Sequence, residues 1–116
     1  MSDTRELIDG ETFAELQQTA GAEFVTELVG TFLEEAPRML AALRTALARD
    51  DAQTFRRTAH SIKSNSLSFG AQPLAEAARA LELGGLPVEP AALDALDALY
   101  QRSAAALQEL RHGRRP

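Results

Sequence analysis

Apolar residues recur at spacings of three and four along most of this chain. No segment alternates convincingly at every second position. The longer period is that of amphipathic helices, so the pattern predicts helix after helix. A short first helix is expected over about Glu11 to Ala20, with Phe13 and Leu16 inward, Asp9 as a candidate cap and Gly21 as its end. The next stripe is long: Val25, Leu28, Phe32, Ala36, Leu40, Leu43 and Leu47. Pro37 lies within it and removes a helical hydrogen bond. The stripe keeps its phase across the proline, which favours one kinked, continuous helix over two. Asp50 and Asp51 interrupt it and can cap the next helix. That third helix is expected from about Ala52 to Ser68, with Phe55, Ala59, Ile62, Ser66 and Phe69 on one side and Gly70 at its end. A shorter one runs from Gln72 to Leu83, with Pro73 in its first turn, and Gly84 and Gly85 stop it. The last spans about Pro90 to Arg111, carrying Leu93, Leu96, Tyr100, Leu107 and Leu110. Four substantial amphipathic helices with short connections imply an all-α, antiparallel four-helix bundle, with the short N-terminal helix as a cover. Residues 1–116 read as a single domain, with residues 1–10 and 112–116 as frayed tails.

Composition narrows the function. The chain has 116 residues, 45% of them apolar and 5% aromatic, which suits one domain with an aliphatic core. It carries 12 Lys and Arg against 17 Asp and Glu, a formal charge of −5. An acidic balance disfavours broad nucleic-acid binding and attachment to a membrane surface. Cysteine is absent, which removes disulfide scaffolds and thiolate chemistry. No basic start leads into an apolar run, and no stretch has the length of a membrane span. A cytoplasmic setting is therefore the expectation.

The chemistry points to a histidine. His112 sits in the C-terminal segment between arginines and reads as an end residue. His60 can be placed by helix phase. With Ile62 set at zero, Phe55, Ala59, Ser66 and Phe69 fall within roughly 60°, while His60 falls roughly 160° away. Arg56, Ser64 and Leu67 lie within about 40° of His60, and Lys63 about 60° off. His60 is thus expected to face outward among basic and small polar neighbours. By periodicity alone, an ordinary surface histidine remains the commoner reading. The other is an imidazole that accepts a phosphoryl group, with Lys63 and Arg56 supplying charge, Ser64 leaving room for a partner, and Leu67 offering an apolar docking contact. A catalytic triad, a metal site and a phosphate-binding loop all lack their spacing here.

The run Ala59-His60-Ser61-Ile62-Lys63-Ser64-Asn65-Ser66-Leu67-Ser68-Phe69-Gly70-Ala71 resembles the signature of histidine-containing phosphotransfer (HPt) domains. That signature has a His, an aliphatic residue, a Lys, then Gly or Ser, and a Gly ten positions after the His. The similarity extends through Leu74 to Leu81-Glu82, and upstream to Phe32-Leu33, Pro37, Leu40, Leu43, Ala46 and Asp50-Asp51. The resemblance implies that His60 accepts and donates phosphoryl groups, that Lys63 steadies them, and that Gly70 ends the histidine helix and lets the next one approach closely. It implies response-regulator receiver domains as partners, with a hybrid histidine kinase as a further one. Magnesium would sit on the receiver, with no cofactor or metal held by this chain and no autokinase or nucleotide-binding activity. Ser64 stands where the family often has Gly, and Leu67 where it often has a smaller residue. A monomer is expected. The alternatives are a helical adaptor that docks on signalling domains without carrying phosphate, and a helical enzyme using the same histidine as a base.

Overall fold

The computed structural model describes residues 4–111. Six helices run in order: α1 (Thr4–Leu7), α2 (Gly10–Ala20), α3 (Ala22–Ala48), α4 (Ala52–Ser68), α5 (Gln72–Gly84) and α6 (Pro90–Arg111). The four long ones, α3 to α6, form the expected bundle. α4 packs between α3 and α5, and α6 closes the other side against α3 and α5. α2 lies across α3 and touches α4, while α1 packs on α5 and α6.

Local chemistry fixes the helix boundaries. Asp9 caps α2 by accepting from the Glu11 N–H at 3.2 Å and the Thr12 hydroxyl at 2.8 Å. Asp51 caps α4 through the Thr54 N–H at 3.1 Å. The C-termini of α3 and α4 end alike. At the first, the Asp51 and Asp50 N–H groups donate back to the Ala46 and Leu47 carbonyls; at the second, those of Ala71 and Gly70 donate to Ser66 and Leu67. Each closure needs a left-handed residue. Asp50 supplies it at φ 55° and Gly70 at φ 77°.

The core follows the phase expected for α4: Phe55, Ala59, Ile62, Ser66 and Phe69 are all buried. Ser66 satisfies its hydroxyl by donating to the Ile62 carbonyl at 2.6 Å. Phe32 stacks near Phe69 and Tyr100, with ring centroids 5.5 and 6.1 Å away. On α3 the stripe is rotated slightly from expectation. Val29 and Ala46 are fully covered, whereas Leu28 and Leu47 only pack against the core edge.

One expectation is corrected. Residues 4–10 are not a frayed tail. Thr4–Leu7 is helical, and Leu7 and Ile8 are 3% and 1% exposed. Gly70 ends the histidine helix, and its bare α-carbon also faces a segment that the sequence did not point to. A Cβ there would lie 2.8 Å from the Asp9 carbonyl oxygen, so the bare α-carbon accommodates the turn between α1 and α2. The Asp9 N–H donates to the Gly70 carbonyl at 2.8 Å in the same contact. The expected tail at residues 112–116, with His112, lies outside the described residues.

Candidate functional site

α4 presents its second face to solvent because the first is filled with Phe55, Ala59 and Ile62. His60 stands on that outer face, its side chain 56% exposed. The ring is nevertheless held. Its Nδ1 lies 2.9 Å from Oε2 of Glu82, near the end of α5. The other carboxylate oxygen, Oε1, lies 3.0 Å from Nζ of Lys63. Oε1 is shut off from water, and the Lys63 ammonium is the cation that faces it. One carboxylate thus joins the imidazole and the ammonium. Lys63, followed by His60, holds the Glu82 carboxyl below the usual carboxylate range. With Nδ1 engaged, Nε2 is the ring nitrogen left for chemistry.

The spacing around His60 does not single out Glu82 as a site residue, because it comes from another helix. Its position is still readable. α4 and α5 form a helical hairpin turning at Ala71, and Ala71 lies eleven residues from both His60 and Glu82. An antiparallel register centred on that turn sets the two side by side.

The other expected site residues spread along the same face. Arg56 is exposed one turn before His60, and its guanidinium lies over Gly85: a Cβ at Gly85 would sit 2.8 Å from it. Ser64 is exposed one turn after His60, and Leu67 is 50% exposed a turn further on. Gly70 is buried at the helix end and takes no part in the outer face. A groove of about 590 Å³ runs beside the ring, lined by Ala52, Gln53, Arg56, Arg57, His60 and Glu82. Beyond Arg57 lies a second groove, of about 330 Å³, bordered by Arg38 and floored partly by Met39. Arg38, Arg56 and Arg57 form no ion pair among the described residues. Helix phase does not reveal Arg38, since it belongs to α3. Among the described residues, no group of three His, Asp or Glu side chains gathers as a metal site, and no helix is long and apolar enough to cross a membrane.

An exposed imidazole with one nitrogen held and an ammonium on the same carboxylate suits nucleophilic attack on phosphorus by the other nitrogen. The Hpt domain family model matches residues 27–106, more than half of the chain. The fold is similar to the crystal structure of histidine-containing phosphotransfer protein B (HptB) from Pseudomonas aeruginosa PAO1, with a TM-score of 0.84 and 29% sequence identity. That similarity covers 94% of this chain and 97% of that one. No curated protein sequence matches this chain. The family match and the shared fold agree with the exposed histidine on the second bundle helix: the chain belongs to the Hpt domain family and is a histidine phosphotransfer protein of a two-component relay.

Proposed function

We propose that His60 is the phosphoryl carrier, taking the group from the aspartate of one receiver domain and giving it to that of another. The Nε2 lone pair attacks phosphorus of an aspartyl phosphate. The bond from phosphorus to the carboxylate oxygen breaks, and the aspartate leaves with its electron pair as a free carboxylate. The return step reverses this. The chain contributes position and charge, which is most of what phosphoryl transfer asks of a protein. The observation that carries the reading is the half-open ring whose Nδ1 is occupied by Glu82 while Nε2 is not.

Lys63 supplies positive charge next to the incoming oxygens and is kept beside the ring by Glu82. Arg56, Ser64 and Leu67 form the near docking surface. Arg57 and Arg38 extend it across α3, where unpaired guanidinium groups favour a partner with carboxylates on its rim.

The test is transfer from a phosphorylated receiver domain, run over a panel of such domains. The parent chain is expected to gain acid-labile phosphate and His60→Gln none, with helicity unchanged because the side chain faces outward. Lys63→Ala is expected to accept roughly 10–100-fold more slowly while remaining folded. Acceptance by His60→Gln at the parent's rate would refute the assignment. Receiver binding without phosphate on any member of the panel would favour the adaptor reading.

A further inference from the structure

α4 carries four serines, Ser61, Ser64, Ser66 and Ser68, and three of them place their hydroxyls in the same way. Ser61, Ser66 and Ser68 donate to the carbonyls four residues back, those of Arg57, Ile62 and Ser64, at 3.2, 2.6 and 3.2 Å. Ser64 does not. Its hydroxyl makes no hydrogen bond among the described residues, although the His60 carbonyl stands four residues back. Exposure does not set it apart, because Ser68 is exposed too. What sets Ser64 apart is its place, one turn beyond His60. We propose that the Ser64 hydroxyl donates a hydrogen bond to the phosphoryl group carried on Nε2 of His60, and so favours phosphohistidine over the receiver's aspartyl phosphate. This rests on the reading of His60 as the phosphoryl carrier and deepens it.

Helix geometry brings the two side chains together. Residues four apart are neighbours on a helix surface, with Cβ atoms about 5–6 Å apart. Side chains lean toward the helix N-terminus, so that of Ser64 leans toward His60. Around the helix axis, Ser64 lies about 40° from His60 on one flank and Lys63 about 60° on the other. The Lys63 flank is the one that meets α5, where Nδ1 is also engaged. The edge of the ring that bears Nε2 is therefore turned toward the flank of Ser64. A phosphoryl group on that nitrogen meets the ammonium from one side and the hydroxyl from the other.

The chemistry fits a donor that is not already committed. Phosphoryl oxygens accept, a serine O–H donates, and a bond to an ionised acceptor is stronger than one between neutral groups. No proton is transferred: Ser64 keeps its hydrogen, and phosphorus stays on Nε2. The bond exists only while His60 is phosphorylated, and in the unphosphorylated chain the hydroxyl is left to water. It therefore acts on the balance of transfer as well as on its speed.

The experiment measures the equilibrium constant for transfer between a phosphorylated receiver domain and this chain. It is approached from both directions, at a dilution where the two proteins are dissociated. Ser64→Ala is expected to move the equilibrium toward the aspartyl phosphate by roughly 3- to 10-fold, as for one lost hydrogen bond at an open site. Ser64→Thr keeps the hydroxyl and is expected to stay near the parent. Alanine is a good helix former, so the fold is retained, and chemical denaturation verifies it. A role in docking alone would change forward and reverse rates by the same factor and leave the constant where it was. Ser64→Ala with the parent's equilibrium constant, whatever its rates, would overturn the proposal, and so would Ser64→Thr shifted as far as Ser64→Ala. Absence of phosphate from His60 in the parent would instead sink the carrier reading, and this proposal with it.

Discussion

Glu82 meets His60 with one oxygen and Lys63 with the other, and the two contacts make it the residue whose ionisation ties the site to the fold. Its carboxyl is held below the ordinary value of 4.5 by Lys63 first and His60 second. Between that value and the lower folded-state one, the unfolded chain binds more protons than the folded chain, so stability falls as the pH falls. The contribution of Glu82 is therefore expected to be full above pH 4.5 and to fade progressively below it. Denaturation of the parent and of Glu82→Gln across acid pH checks this: the gap between them should close as pH drops through that window. A gap that stays constant to the acid limit would contradict it. His60 is legible from phase alone, because a buried Ile62 two residues away dictates where the imidazole points. Glu82 is harder to read because its partnership is tertiary. It emerges only when the hairpin register about Ala71 is worked out.

Pro37 shows how an element can carry a local fault. The expectation of one continuous helix is met, since α3 runs from Ala22 to Ala48 through the proline. The missing N–H of Pro37 deprives the Leu33 carbonyl of its usual partner four residues on. Tyr100, on α6, fills the gap: its hydroxyl donates to that carbonyl at 3.3 Å. Sequence periodicity places Tyr100 on the inner face of α6 but cannot show where its hydroxyl goes. Tyr100→Phe is expected to cost about 1 kcal/mol in the parent. In a Pro37→Ala background the carbonyl regains a helical donor, so the same change should cost less, with a coupling of about 0.5–1 kcal/mol. A double-mutant cycle by chemical denaturation measures it. Strict additivity would mean that the tyrosine is not serving the proline's orphaned carbonyl.

At the scale of the molecule, the bundle is readable because its four stripes are long and keep phase. The N-terminal segment is not. Leu7 and Ile8 are adjacent, so they give no helical period, and acidic and basic residues surround them. Their burial depends on a contact made some sixty residues later in the chain, where Gly70 leaves room for Asp9. Ile8→Ala is therefore expected to destabilise the whole fold by about 2–5 kcal/mol, as for other buried aliphatic truncations. A loss within about 0.5 kcal/mol, typical of surface changes, would mean that the segment is dispensable. Charge has its own long-range arrangement. The chain is acidic overall at −5, yet Arg56 and Arg57 line the groove beside the histidine, and Arg38 borders the next groove across Arg57. Such a local reversal steers an acidic partner to one face, and its effect weakens with added salt.

All of these features bear on one atom. The most direct measurement is to locate the phosphate after exchange with a phosphorylated receiver, by mass spectrometry of peptides kept away from acid and 31P NMR of the intact chain. A single phosphoramidate is expected, on His60, bonded through Nε2. Phosphate on another residue would contradict the carrier assignment, and phosphate on His60 through Nδ1 would contradict the role given to its ring nitrogens.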